Sequence, residues 1–161
     1  MFRDMRRNGQ LLTKEACEEI LLRNTSGVLA VCGDGGYPYT VPLSYVYLDG
    51  ALYFHCAHEG HKLDAIRGCD KVSFCVIDKD EIVGEKYTTY FRSVVAFGRA
   101  RVMEGEEKLR PLVALCEKYW PGHLDVTEPK AAGALERTCL VEIAVEHMTG
   151  KEAVELTRRR G

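Results

Sequence analysis

The chain has 161 residues, 46% hydrophobic and 29% charged, and its 22 basic and 24 acidic side chains leave a formal net charge of -2. That length suits one domain with a single sizeable core, and the near-neutral balance offers no electrostatic footprint for nucleic acid. No apolar run nears membrane-spanning length and the start, Met1-Phe2-Arg3-Asp4-Met5-Arg6-Arg7, holds no apolar leader stretch, so a soluble, untargeted domain over residues 1–161 is expected.

Thr13 is placed to cap a first helix over residues 14–23, with Cys17, Ile20 and Leu21 on one face and Asn24 and Gly27 ending it. Strand-like runs follow at 28–33, 39–48, 51–57 and 71–78, separated by turn residues. Asp49-Gly50 between two apolar runs predicts a tight hairpin, because a type I′ turn needs positive φ at both central positions. The run 86–103 is too long for an ordinary strand and predicts a bend or bulge, with Gly98 as the corner. A helix over 106–119, with Leu109, Leu112, Val113 and Cys116 on its apolar face, ends at Trp120-Pro121-Gly122, and residues 138–145 form the last strand. Arg158-Arg159-Arg160 reads as a solvated basic tail. Many short strands with few helices argue for a mainly β fold, an antiparallel barrel with helical insertions whose closure removes exposed edges. The seven cysteines are odd in number and lie within apolar runs such as Val72-Ser73-Phe74-Cys75-Val76-Ile77, which points to a reducing cytoplasm.

The densest chemical signal is Tyr53-Phe54-His55-Cys56-Ala57-His58-Glu59-Gly60-His61-Lys62. A strand breaks at a small-residue turn and restarts as an amphipathic helix with a lysine in its first turn. The unpaired N–H groups and positive dipole end of such a terminus bind anions, above all phosphate. Gly60 admits close backbone approach, Lys62 supplies the charge, and His58 and His61 are either further donors or solvated turn histidines. His55 shares a strand face with Tyr53 and Ala57, which is either the ligand face or a barrel interior with a satisfied histidine. His55, Cys56, His58 and His61 are also possible metal ligands, but strand alternation sends His55 and Cys56 to opposite faces and no second cluster completes a shell, so no metal is assigned. Cys56 has no helix N-terminal setting that would make it a nucleophile. Trp120 either covers a ligand or caps its helix against the barrel.

Three segments, Tyr39-Thr40-Val41-Pro42-Leu43-Ser44-Tyr45-Val46-Tyr47, the run from Leu52 to Lys62, and Tyr90-Phe91-Arg92-Ser93-Val94-Val95-Ala96-Phe97-Gly98-Arg99-Ala100, resemble the pyridoxamine 5′-phosphate oxidase-like, FMN-binding split-barrel proteins, above all the 5-nitroimidazole-resistance subgroup. The resemblance spans about residues 13–151, and its most specific element is the Phe-His-x-Ala-x-x-Gly-x-Lys pattern. It implies a homodimer of six-stranded split barrels with FMN at the interface. Pro42 deletes a ladder donor in its strand, and a flavin ring fits that interruption, which makes Val41, Pro42, Leu43, Ser44 and Tyr45 ring-contact candidates. The family's use of the third segment near the dimer interface implies that Arg92 and Ser93 reach the partner's FMN; an ion pair within the subunit is the alternative for Arg92. His55 or Tyr45 is then a candidate proton shuttle. The chain lacks the fuller arginine-lysine set and C-terminal region that the true oxidases use for their substrate. A flavin-dependent oxidoreductase passing electrons from a small-molecule donor to a small acceptor, for instance a nitroaromatic, is therefore expected. The alternative is a flavin- or heme-binding protein without turnover, since no Gly-x-Gly-x-x-Gly nucleotide motif follows a strand.

Overall fold

The computed structural model describes residues 2–158, and Arg159 and Arg160 of the basic tail lie outside them. Helix α1 (Lys14–Arg23) leads into strands β1 (Ser26–Cys32), β2 (Pro38–Ser44), β3 (Val46–Leu48) and β4 (Ala51–Cys56). After α2 (His61–Gly68) come the long strands β5 (Lys71–Val83) and β6 (Thr88–Val102), helices α3 (Leu109–Tyr119) and α4 (Leu124–Ala132), strand β7 (Cys139–Glu152) and a closing turn α5 (Val154–Thr157).

All pairings are antiparallel and the strand order is β2-β1-β5-β6-β7-β4-β3. The two end strands, β2 and β3, are successive parts of one run interrupted only at Tyr45. The ring of strands thus closes through the chain itself, and the sixth stave of the barrel is split, its first half on β1 and its second on β4. This accounts for a count of seven strands where six were expected.

Alternation along the strands fills the barrel. Leu29, Leu52, Phe54, Phe74, Val76, Val94, Ala96, Val141 and Ile143 form one buried cluster, and α1 closes it with Cys17, Ile20 and Leu21. Thr13 caps α1 as expected, its Oγ1 accepting the Ala16 N–H at 3.2 Å, a contact worth about 1 kcal/mol. On the outer side, Val46, Tyr53 and Leu140 form a second buried cluster with Leu112 and Leu115 of α3 and Ala131 of α4. Asp49 and Gly50 take φ of 50° and 82°, as a tight β3–β4 turn requires.

The predicted irregularity in the long strand is present where Gly98 stands: the β6–β7 register shifts between Phe97 and Gly98. A Cβ there would lie 2.2 Å from the Ala144 carbonyl oxygen, so only glycine admits this approach. A second shift, between Ile77 and Lys79, leaves Asp78 as the extra residue of a bulge in β5. Strands β5 and β7 run farther than their apolar residues predict, to Val83 and Glu152, because their polar ends pair with β6. Val94, inside the barrel, has no exposure.

Candidate functional site

Strand β4 ends at Cys56, and the chain turns through Gly60, whose φ of 128° is open to glycine alone, to start α2. No side chain caps this helix. The amides of Leu63 and Asp64 return to the Gly60 carbonyl, while those of His61 and Lys62 belong to the first turn, which lacks acceptors within the helix. Lys62 is half-buried, and among the described residues no carboxylate pairs with it. The nearest acid on its own helix, Asp64, is occupied by Arg67 at 3.0 Å. The terminus thus presents two amides without helix acceptors, the positive end of a dipole and an ammonium without a carboxylate partner.

The histidines divide. The His61 ring stacks on Tyr39 of β2, with centroids 4.2 Å apart, and its Nε2 lies 3.5 Å from Asp34. Its backbone N–H, not its ring, remains for a ligand. His58 places Nε2 2.9 Å from the Arg137 carbonyl oxygen, which ties the turn to the start of β7. His55 is exposed on the outer face of β4, so it is no barrel-interior histidine. Ala57, also exposed, leads into the turn. Among the described residues no group of three or more His, Cys, Asp or Glu is placed to hold a metal. The Cys56 thiol lies 3.9 Å from that of Cys139, and burial, then its thiol neighbour, pushes it up to about 11, which disfavours a nucleophilic thiolate.

Strand β2 has a neighbour on one side only, so part of its backbone N–H and C=O groups face a free edge. Pro42 and Ser44 are exposed while Val41 and Leu43 turn half-buried towards the barrel core. The contact these last two offer outward is therefore backbone. Tyr45 differs from expectation. Its side chain has no exposure, its hydroxyl donates to the Leu21 carbonyl at 2.8 Å, and its ring meets Phe74 edge-on at 5.0 Å. Burial holds its phenol well above the ordinary value, followed by the nearby Tyr119 and Asp78. A phenol so placed in the core does not shuttle protons to a ligand outside it.

The residue that manages the split is one that sequence reasoning missed. Tyr119, at the end of α3, accepts the Tyr45 N–H at 2.9 Å and sets its hydroxyl against the carbonyls of Tyr45, at 2.9 Å, and Thr25. A side chain thus substitutes for the missing ladder partner where the stave breaks. Beside it, Lys118 lies 4.0 Å above the Tyr45 ring and 3.2 Å from the Leu21 carbonyl oxygen, and burial lowers its ammonium to about 8. Trp120 points elsewhere and stacks on His123 at 3.9 Å.

A cavity of about 630 Å³ opens between this split and the α3–α4 pair, lined by the polar side chains of Ser44, His55, Tyr119 and Thr138 and by apolar Leu112, Leu115 and Ala131. Ser44 and His55 are thereby brought to one place, and the His58–Arg137 contact sets the α2 terminus beside it. Arg92 is engaged within the subunit: its Nε lies 2.9 Å from fully buried Glu152, and its Nη1 3.4 Å from the bulged Asp78, which also receives Arg23 and Asn24. Ser93 is half-buried in the β6 ladder opposite Ile77 and Lys151.

The antiparallel strands with one stave divided between two neighbours define a split barrel. The family model described as pyridoxamine 5′-phosphate oxidase matches residues 13–152, and the chain belongs to that family of flavin-binding split barrels. It is 30% identical to an FAD-binding protein of Mesorhizobium loti, covering 89% of this chain and 97% of that one with a TM-score of 0.63. It is 23% identical to a candidate 5-nitroimidazole antibiotic resistance protein of Bacteroides thetaiotaomicron, over 88% and 86% of the two chains with a TM-score of 0.74. An FAD and heme binding protein of Mycobacterium smegmatis is 18% identical over 92% and 78%, with a TM-score of 0.71. No curated protein matches the chain. Among the described residues no helix is long and apolar enough to cross a membrane.

Proposed function

We propose that the protein binds FMN and acts as a flavin-dependent oxidoreductase towards a small acceptor, working as a homodimer in the cytoplasm. The observation that carries this reading is the uncapped α2 terminus with unpaired Lys62, held against the free edge of β2 by the His61–Tyr39 stack. One helix terminus and one lysine seat one phosphate, which favours a mononucleotide over the dinucleotide named for several structural neighbours. The residues present fit the rest of the cofactor: backbone groups of β2 from Val41 to Ser44 serve the polar edge of a flat ring, and Ser44 and His55 flank it from the cavity lining. Bound flavin supplies two-electron transfer between a reductant and an acceptor, while the protein positions the ring and excludes competing reactions. Seven unpaired thiols fit a reducing compartment. The dimer is supported by Ile77, Ile82 and Tyr87, apolar side chains standing 62%, 81% and 99% exposed on the β5–β6 hairpin.

Titration of the purified protein with FMN, FAD and riboflavin, followed by anaerobic reduction with NADH or NADPH and reoxidation by a nitroaromatic, tests the reading. FMN binding tighter than riboflavin, with turnover, is the expected result. Riboflavin binding as tightly as FMN, or flavin that no donor reduces, overturns the phosphate seat or the reductase reading respectively. Sedimentation of the Ile77→Asp variant tests the dimer, which is expected to dissociate.

A further inference from the structure

In the middle of the chain nearly every arginine is engaged. Between residues 20 and 140 there are seven, and Arg23, Arg67, Arg92, Arg99, Arg101 and Arg110 each hold a carboxylate. The remaining one, Arg137, lines the cavity beside the split, and Lys130 lines it too. Neither has a carboxylate partner among the described residues, and no acidic residue lines the cavity. Arg137 is fixed in place through its own backbone, whose carbonyl meets His58 Nε2 at 2.9 Å. The lining also includes the apolar side chains Leu112, Leu115 and Ala131. A cavity with two unneutralised cations and apolar side chains in its lining is complementary to a flat apolar body bearing one negative charge.

We propose that this cavity is the acceptor site and that it selects anionic aromatic acceptors, an aromatic carboxylate in the first instance, with Arg137 as the principal specificity residue and Lys130 in support. The planar guanidinium forks onto a carboxylate bidentately, the ring of the acceptor lies against Leu112 and Leu115, and the end of the molecule away from the carboxylate faces Ser44 and His55, where the flavin ring is placed. The orientation relative to flavin rests on the function proposed above; the preference for an anion does not.

The sequence holds one tryptophan, Trp120, next to Tyr119 of the cavity lining, so nitroaromatic binding is readable as quenching of its fluorescence with or without flavin. The probes are 4-nitrobenzoate and its neutral isostere 4-nitrobenzamide. Because Arg137 and Lys130 are exposed, screening limits the effect: the carboxylate is expected to bind about threefold to tenfold more tightly than the amide. That ratio should fall towards one in Arg137→Gln and recover in part in Arg137→Lys. In flavin-loaded protein the KM ratio of the two acceptors should follow the binding ratio. Equal binding of both probes to the wild type, a preference that survives Arg137→Gln, or loss of flavin from Arg137→Gln in place of loss of selectivity would each overturn the assignment. Lys130→Gln should lower the ratio by itself; an unchanged ratio there removes Lys130 from the site. Failure of flavin to bind, with the probe preference intact, would instead count against the reductase reading alone.

Discussion

Replacing Lys62 with glutamine isolates the charge at the α2 terminus. The side chain is half-buried and has no carboxylate partner among the described residues, the helix has no side-chain cap, and the variant keeps a polar side chain, one bond shorter, while deleting the ammonium. A charge-assisted hydrogen bond contributes about 1.5–3 kcal/mol. Partial exposure of Lys62 and the persistence of the free amides of His61 and Lys62 place the loss in the lower half of that range. At about 1.4 kcal/mol per factor of ten, Lys62→Gln should weaken FMN about ten- to fortyfold. Riboflavin, which lacks the phosphate, should lose less than about twofold. Flavin fluorescence titration of both ligands against both proteins gives the four dissociation constants, and repeating the FMN titration at raised ionic strength should weaken the wild type more than the variant. Equal losses for the two flavins would refute the reasoning, since they would place the effect of Lys62 on the fold or the ring and not on the phosphate.

Tyr119→Phe strips the Tyr45 N–H of its acceptor and should lower stability by about 1–3 kcal/mol, read as a shift in the urea midpoint; an unchanged midpoint would mean that the phenol does not hold the split. Asp78 is raised by burial but lowered more by hydrogen bonds from Arg23 and Asn24 and by the charges of Arg23 and Arg92, for a net decrease. Its contribution is present above the unfolded carboxylate value near about 4 and fades as pH falls through the lower folded value, so the stability gap between wild type and Asp78→Asn should close on acidification below that point. Lys118, lowered by burial to about 8 from 10.5, binds its proton less firmly folded than unfolded, so the stability of the wild type relative to Lys118→Met should rise between those two pH values; denaturant midpoints across that window that run parallel would refute this.

The barrel is legible because its strands alternate and its turns use residues with few options, such as Asp49-Gly50 and the cap Thr13. The start of α2 is legible for the same reason: a glycine turn, a helix start and a lysine are local in sequence. The split is not. Tyr45, Val46 and Tyr47 are all buried in succession, so an apolar run continues through the break, and the hydroxyl that satisfies the interruption comes from 74 residues away. Helix α4 was missed because Pro129 sits inside it and its apolar residues mark no clear face. The polar ends of β5 and β7 read as loops because they serve pairing with β6 and not the barrel core. Arg92 could be placed in a strand but not paired from sequence, since Glu152 lies 60 residues on.

On the proposed function, the same short stretch of chain would serve two tasks that pull against each other. A closed barrel stays closed because every stave is paired on both sides, yet a flat cofactor needs a free edge to lie on. Breaking one stave at Tyr45 separates the tasks: β3 completes the ring against β4, while β2 keeps its pairing to β1 and frees its other edge. The break leaves polar backbone without a strand partner, which is unfavourable when buried. Tyr119 supplies that partner from outside the barrel. Because Tyr119 ends α3, and α3 also lines the cavity with Leu112 and Leu115, the piece that stabilises the opening is the piece that shapes what can enter beside it. If the cavity is the acceptor site and the α2 terminus the phosphate site, as proposed, changes in α3 should alter stability and acceptor selection together, whereas changes at Lys62 and Gly60 should alter phosphate binding alone.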